Sequence, residues 1–342
     1  MTTMRAMQIS KAGGSFESVE RPVPRPGPRE LRIRVEACGM CHSDAFVKTG
    51  QFPGLRLPRI PGHEVAGRVD ALGAEVTGWK AGQRVGVGWF GGNCGQCAAC
   101  RRGDLMNCAA GKITGISFDG GYAEYLVAPA EAVARIPDEL EPAQAGPLLC
   151  AGITTYNALR NSGARPGDTV AVQGIGGLGH LAIQYAAIAG GRVIAVDVVD
   201  EKLELAEELG AEFVVNASRQ DPVEFIRELG GADQAIALAV SPASFEQAYG
   251  SLRRGGTLVF VALPAENHIQ LPIFETVLNG ITVVGSIVGT RVDLREVFEL
   301  HAAGKTRVIR ETRSFAEVNE AIAEVEAGRV PARIVFTPEV SG

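Results

Sequence analysis

The 342-residue sequence predicts an α/β fold containing a doubly wound parallel sheet, and three observations carry that prediction. A glycine loop, Gly174-Ile175-Gly176-Gly177-Leu178-Gly179, separates an apolar strand-like run, Thr169–Gln173, from an apolar helical run, His180–Ala189. A second strand-like segment, Arg192–Asp197, ends in an acid 18 residues after the last of those glycines. Helix-like and strand-like segments then alternate to about Ala262, and βα repetition of this kind builds a parallel sheet with helices on both faces.

Ahead of that half, Leu31–Ala37 alternates apolar with charged residues and reads as a half-buried strand. Cys41-His42-Ser43-Asp44 follows it, and Pro61-Gly62-His63-Glu64 opens another apolar stretch. Residues 94–108 hold four cysteines among turn-forming Gly95, Gly103 and Asp104, and Cys150 lies in Pro147-Leu-Leu-Cys-Ala-Gly152. Within the α/β half the expected order is helix Asp200–Leu209, strand Phe213–Asn216, helix Asp221–Leu229, strand Gln234–Val240, helix Pro242–Arg254 and strand Thr257–Leu263. In the tail, Ser314-Phe-Ala-Glu317 is a capping box. It opens a helix with Val318, Ile322 and Val325 on one face, followed by strand-like Arg333–Phe336.

Lys and Arg number 33 against 39 Asp and Glu, a net charge of −6 with no basic run, which speaks against a nucleic-acid or anionic-membrane surface. No apolar run reaches the roughly 18 residues of a membrane helix, and residues 1–11 lack a signal-peptide core. With 46% hydrophobic and 21% charged residues, a disordered chain is excluded. A cytoplasmic globular protein is expected.

Seven cysteines in a chain without a secretion signal argue against a disulfide framework. Cys94, Cys97, Cys100 and Cys108 are spaced for four thiolates on one metal. A closed tetrahedral zinc shell leaves no position for substrate and staples a loop poor in apolar residues; an iron–sulfur cluster and a redox Cys-x2-Cys pair are the alternatives. Two of the five histidines fall in the short segments around Cys41 and Pro61. Two cysteines and one histidine would make a three-ligand zinc site with an open fourth position, the arrangement of a catalytic metal. Taken singly, each of these residues reads as core.

In the α/β half, the glycines let the backbone approach a pyrophosphate, and the helix N-terminus offers it unpaired N–H groups. Asp197 stands where a carboxylate grips the ribose 2′-hydroxyl and repels a 2′-phosphate, so NAD is expected over NADP. The plainer alternative is an acid that merely ends a strand.

Together these motifs resemble, over essentially the whole chain, the zinc-containing medium-chain alcohol dehydrogenases. The compact connection from Cys108 to Cys150 is most similar to the shorter bacterial and yeast-type members, which are usually tetrameric. The resemblance implies a Rossmann NAD-binding domain, 149–287, and a discontinuous GroES-like β-barrel catalytic domain, 1–148 with 288–342. It implies reversible hydride transfer between a primary or secondary alcohol, aromatic ones included, and NAD+, in a homotetramer with one catalytic and one structural Zn2+ per subunit. Cys41, His63 and Cys150 would bind the catalytic zinc and Cys94, Cys97, Cys100 and Cys108 the structural one. Glu64 would approach the metal when water or alcohol leaves, Asp44 would orient His63, and Ser43 would take the alcohol proton. His42 and Arg333 match residues that face the pyrophosphate, and Lys202 one that reaches the adenosine ribose beside Asp197. Thr154 and the backbone of Ser286-Ile287-Val288 match nicotinamide contacts; Phe46, Phe52 and Trp89 would line the substrate pocket.

One position departs from the family. Its proton relay often ends in a histidine five residues after the first zinc-ligand cysteine, where this chain has Phe46. Phenylalanine accepts no proton, so a relay through Ser43 and a ribose hydroxyl ends in water or another base. Cys38 matches no family role and reads as a buried thiol. Polyol, threonine, formaldehyde and cinnamyl-type dehydrogenases share the scaffold. A non-catalytic NAD-binding redox sensor would be marked by a broken Cys/His/Cys set, and here the set is intact. Arg101, Arg102 and Lys112 supply too little charge for a nucleic-acid-binding zinc ribbon.

Overall fold

A computed structural model of the chain describes residues 2–338; Met1 and 339–342, which the expected catalytic domain includes, lie outside the described residues. The chain forms two compact units, Met1–Cys150 with Gly289–Ala303 and Arg310–Gly342, and Ala151–Val288 with Gly304–Ile309.

The first unit is organised around strand Glu30–Gly39, whose alternation buries Leu31, Ile33, Val35 and Ala37. This strand pairs antiparallel with Val65–Leu72, Tyr125–Pro129 and, at its C-terminal end, Arg333–Thr337. Arg84–Val87, Val133–Arg135 and Arg310–Ser314 complete a seven-stranded sheet. Its inner face, together with Ile9, Phe16, Tyr122 and helix Val318–Glu326, fills one core, where each fully buried large aliphatic side chain stabilises by about 1.5–3 kcal/mol. The capping box forms, with the Ser314 N–H donating to Glu317 Oε2 at 2.9 Å.

Strand register brings sequence-distant segments together here. Cys38 lies opposite both Val65 and Phe336. The Gly39 N–H donates to the Glu64 carbonyl at 3.1 Å, and the Met40 N–H to the Ile334 carbonyl at 2.9 Å. Residues 38–44, 61–65 and 333–336 therefore meet at one end of the sheet. Helix Pro142–Pro147 lies against them with Gly146 at the closest approach, where a Cβ would stand 3.2 Å from the Glu64 carbonyl oxygen. That helix passes into a π-helical turn, Leu148–Gly152, which carries Cys150; such turns are frequent at functional sites.

In the second unit six parallel strands stand in the spatial order Phe213–Asn216, Arg192–Asp197, Thr169–Gln173, Ala232–Ala237, Leu252–Phe260, Thr282–Gly285. The order reverses beside Thr169–Gln173, and ligands of such sheets bind in the crevice at the carboxyl ends of the strands at that point. Helix Pro242–Gly250 stops four residues before its expected end because Leu252 already pairs with Ala232. The edge strand Thr282–Gly285, at four residues, gave no alternation to read. Residues 304–309, expected in the catalytic domain, pack in this unit instead. The Gln184 side chain donates to the Arg307 carbonyl at 2.9 Å and accepts from its N–H at 2.6 Å. Among the described residues no helix is long and apolar enough to cross a membrane.

Candidate metal and cofactor sites

Cys41, His63, Glu64 and Cys150 are buried, and each brings one ligand atom within 4.8 Å of the others. The Cys41 and Cys150 sulfurs are 3.8 Å apart, the edge of a tetrahedron with metal–sulfur bonds of about 2.3 Å. Asp44 backs this arrangement. Its Oδ2 accepts from the Cys41 N–H at 3.0 Å and the Tyr122 hydroxyl at 2.8 Å, and its Oδ1 faces His63 Nδ1 at 3.5 Å. The other ring nitrogen, His63 Nε2, is buried with no hydrogen-bond partner. Orphaned buried polar atoms are rare, and one imidazole nitrogen beside two sulfurs fits a zinc ion with an open position.

The electrostatics divide these donors. The hydrogen bond to Cys41 and burial hold the Cys150 thiol well above its usual range, and His63 is raised too, burial being outweighed by Asp44 and Cys41, so Cys41 is the donor drawn towards its metal-binding form. A hydrogen bond from Cys150 holds the Cys41 thiol well below its usual range, against the opposing effect of burial and with help from His63 and Arg333; thiolate is the metal-binding form. Burial pushes Glu64 up to about 7, against the pull of Arg333. The Arg333 guanidinium pairs with Glu64 Oε1, the two side chains being 4% and 0% exposed. Glu64 Oε2 has no partner, and a Cβ on Gly39 would collide with it. Arg333, expected at the pyrophosphate, thus spends its Nη2 on Glu64, because the register of Arg333–Thr337 against Cys38–Gly39 carries it there.

Of the three expected pocket aromatics, Trp89 stands edge-on to His63 at 4.9 Å and so adjoins the candidate metal residues, and Phe52 stands edge-on to Trp89 at 5.6 Å behind it. Phe46 packs on His42, centroids 6.0 Å apart. Ser43, half-buried, opens helix Ser43–Thr49 two residues after Cys41. Cys38 is fully buried, and burial raises its thiol well above the usual range.

Cys94, Cys97, Cys100 and Cys108 also converge within 4.8 Å. Sulfur pairs 97–100, 94–108 and 97–108 are 3.5, 3.6 and 4.0 Å apart, and the N–H groups of Cys94, Cys97 and Ala110 donate to sulfur at 3.3–3.4 Å. Those donors fit a set of thiolates, and the spacing suits a single tetrahedral ion with bonds of about 2.3 Å rather than a cluster of several irons. No disulfide links the cysteines.

In the second unit the Asp197 carboxylate accepts from the N–H groups of Ile175 at 2.7 Å, Val198 at 2.8 Å and Val199 at 3.1 Å, tying the glycine loop to the end of its strand. Gly174, at φ +97°, leaves no room for a Cβ, which would stand 2.7 Å from the Ala239 nitrogen; one on Gly179 would meet the Gly174 carbonyl. In front of Gly176 nothing lies within 4 Å, the clearance a pyrophosphate needs. Gly177 and Leu178 turn into helix Gly179–Ile188. Lys202 is half-buried on helix Asp200–Glu208, and Thr154 is buried on helix Ile153–Ser162. The Ser286 hydroxyl accepts from Asn161 at 3.0 Å, and Ile287 is exposed. Val288 is, among the described residues, the one non-glycine at positive φ, +40°, a strain of about 1–3 kcal/mol that collects at functional sites.

Tyr122 and Gly39 were not singled out in the sequence. Gly120-Gly121 before Tyr122 marks a close backbone approach, but nothing local says that the hydroxyl reaches Asp44.

Residues 27–138 match the alcohol dehydrogenase GroES-like domain and residues 177–303 the zinc-binding dehydrogenase family. The chain is 49% identical over 337 residues to an alcohol dehydrogenase of Geobacillus stearothermophilus, spanning 97% of this chain and 98% of the relative. The alcohol dehydrogenase of the hyperthermophilic archaeon Aeropyrum pernix matches with a TM-score of 0.91 at 31% identity, over 98% of this chain and 100% of that one. A zinc-binding dehydrogenase of Sinorhizobium meliloti 1021, bound to NADP, gives 0.91 at 30% identity over 99% and 100%.

Proposed function

The chain belongs to the zinc-dependent medium-chain alcohol dehydrogenases, and from that premise we propose that it interconverts small or aromatic alcohols with their aldehydes or ketones, using NAD+. The observation that carries the site reading is the buried, unpartnered Nε2 of His63 beside the sulfurs of Cys41 and Cys150. When bound there, zinc supplies a Lewis acid that lowers the alcohol pKa, and NAD+ supplies the hydride acceptor. The chain's own part is to hold, orient and deprotonate. Cys41, His63 and Cys150 form the metal cradle, with Asp44 turning His63 and Glu64 Oε2 in reserve as a further ligand. Ser43 is the residue that would take the alcohol proton, and because Phe46 cannot accept it, the proton would leave to water or another base. Phe52 and Trp89 form an apolar wall beside His63, which favours small or aromatic substrates over polyols.

The four-cysteine loop holds a second, structural zinc. The first unit would serve as the catalytic domain and the second as the NAD-binding domain, where the glycine loop and Asp197 would hold pyrophosphate and ribose, Lys202 would join Asp197 at the ribose, and Thr154 with Ser286–Val288 would lie towards the nicotinamide. His42 faces the pyrophosphate; Arg333 serves first as the partner of Glu64. Asp197 argues for NAD over NADP. Association of copies, which the family resemblance reads as a homotetramer, is supported by Ile273, Phe274, Val277 and Leu278, all more than half exposed near the edge strand Thr282–Gly285. Seven free cysteines suit the reducing cytoplasm.

The test is initial rates of NADH formation across primary, secondary, benzylic and polyol alcohols, with a parallel set in NADP+. NAD-linked turnover of small or benzylic alcohols is expected. Zinc-replete protein that binds NADH yet neither oxidises any of them nor reduces the matching carbonyls would sink the proposal.

A further inference from the structure

We propose that Tyr122 is a positioning residue for the metal ligand His63, acting through Asp44; the inference rests on the zinc reading of Cys41, His63 and Cys150. Tyr122 is fully buried and held on every side. Its N–H donates to the Pro61 carbonyl at 3.0 Å and its carbonyl accepts from the Met7 N–H at 2.8 Å. The rings of Phe16, Phe315 and Phe336 pack on it at 5.9, 6.1 and 5.5 Å. Its ring edge lies so close that a Cβ on Gly62 would stand 2.7 Å from it, and Gly62 immediately precedes His63. The hydroxyl emerges from this apolar cage onto Asp44 Oδ2 at 2.8 Å.

Two donors on one carboxylate oxygen, the Tyr122 O–H and the Cys41 N–H, fix the plane of the Asp44 carboxylate. The other oxygen is thereby pointed at His63 Nδ1. A proton held on Nδ1 leaves the lone pair on Nε2, on the side of the two sulfurs, and fixing that tautomer is what the outer partner of a metal-bound histidine does. Without the hydroxyl, Asp44 keeps one backbone donor and its carboxylate is free to turn. Tyr122 also braces the Pro61–Gly62 backbone, so it sets His63 from both the main chain and the side chain.

Tyr122→Phe removes the oxygen and keeps the ring. Zinc release to a chromogenic chelator is followed for wild type, Tyr122→Phe, Asp44→Ala and the double variant, alongside the visible spectrum of each after Co2+ replacement. Tyr122→Phe is expected to speed loss of metal from the Cys41–His63–Cys150 site on the order of tenfold, the lower end for outer-partner substitutions. It should shift the Co2+ absorption bands and leave release from the four-cysteine site unchanged. On the Asp44→Ala background the same change should add less than about threefold, since its route runs through Asp44. Unchanged release and spectrum in folded Tyr122→Phe, or an equal speeding at both sites, overturns the proposal. If Tyr122→Phe does not fold, 3-fluorotyrosine at position 122, a stronger donor of nearly the same shape, should slow release, and unchanged or faster release overturns it. Cys150→Ser separates the two readings: if it removes no metal from the wild-type count, the zinc reading has failed and not the role of Tyr122.

Discussion

Glu64 and Arg333 form a buried ion pair whose two halves should respond to removal in different ways. Both side chains are almost wholly excluded from solvent, and deleting one partner of such a pair typically costs about 3–5 kcal/mol because a charge is left unpaired. A carboxylate can escape that cost by taking up a proton; a guanidinium cannot. Burial already raises Glu64 to about 7 with Arg333 beside it, and taking Arg333 away raises it further. Because the folded-state value lies above the unfolded one, Glu64 contributes stability fully below about pH 4.5, which is lost as pH rises towards 7. In Arg333→Met that loss extends to higher pH. Arg333→Met should therefore be destabilised by about 3–5 kcal/mol at pH 9 but only about 1–3 kcal/mol at pH 5.5, where the neutral acid survives burial. Glu64→Gln strands the guanidinium at every pH, so its loss of about 3–5 kcal/mol should be flat. At roughly 2–4 °C per kcal/mol, the full loss lowers the melting temperature by about 6–20 °C. Thermal unfolding of the three proteins at pH 5.5, 7 and 9, all stripped of metal so that no cation beside Glu64 lowers its carboxyl, decides the matter. Equal pH slopes for the two variants, or losses under about 1 kcal/mol, refute the reasoning.

Cys41→Ser should abolish alcohol oxidation while NADH binding by fluorescence titration is kept within about threefold, because the glycine loop and Asp197 belong to the other unit; loss of both in a folded variant contradicts that division. Cys108→Ser should lower the zinc count from two to one per chain and expose residues 94–108 to protease, read by metal analysis and limited proteolysis. Phe46→His supplies a terminal base for the relay and should raise alcohol oxidation below neutral pH; an unchanged pH profile removes the relay from the mechanism. Asp197→Ser should reduce NAD+ preference over NADP+ by on the order of tenfold in kcat/KM. It should also lower stability by about 1–3 kcal/mol, since up to three backbone N–H groups lose their acceptor.

Short-range patterns determined most of the second unit, though the strands expected at Gln234–Val240 and Thr257–Leu263 run at Ala232–Ala237 and Leu252–Phe260. The strands at Thr169, Arg192 and Phe213 appear at their expected residues, because alternation and turn chemistry act over a few neighbouring side chains. The cysteine loop was legible for the same reason: four thiols within 15 residues need no distant partner to converge. The candidates for the proposed catalytic zinc were also visible as residue types, and Cys41, His63 and Cys150 do meet. Their meeting, however, is a matter of register: Cys38 opposite Val65 and Phe336, with Gly146 thin enough to bring Cys150 alongside. That same register turned Arg333 onto Glu64 and put the Tyr122 hydroxyl on Asp44, neither of which any local spacing encodes. It also decided that residues 304–309 lie with Gln184. Periodicity along the chain reports which face a residue takes; which residues then become neighbours is set by strand pairing across more than a hundred positions, and only the folded packing resolves it.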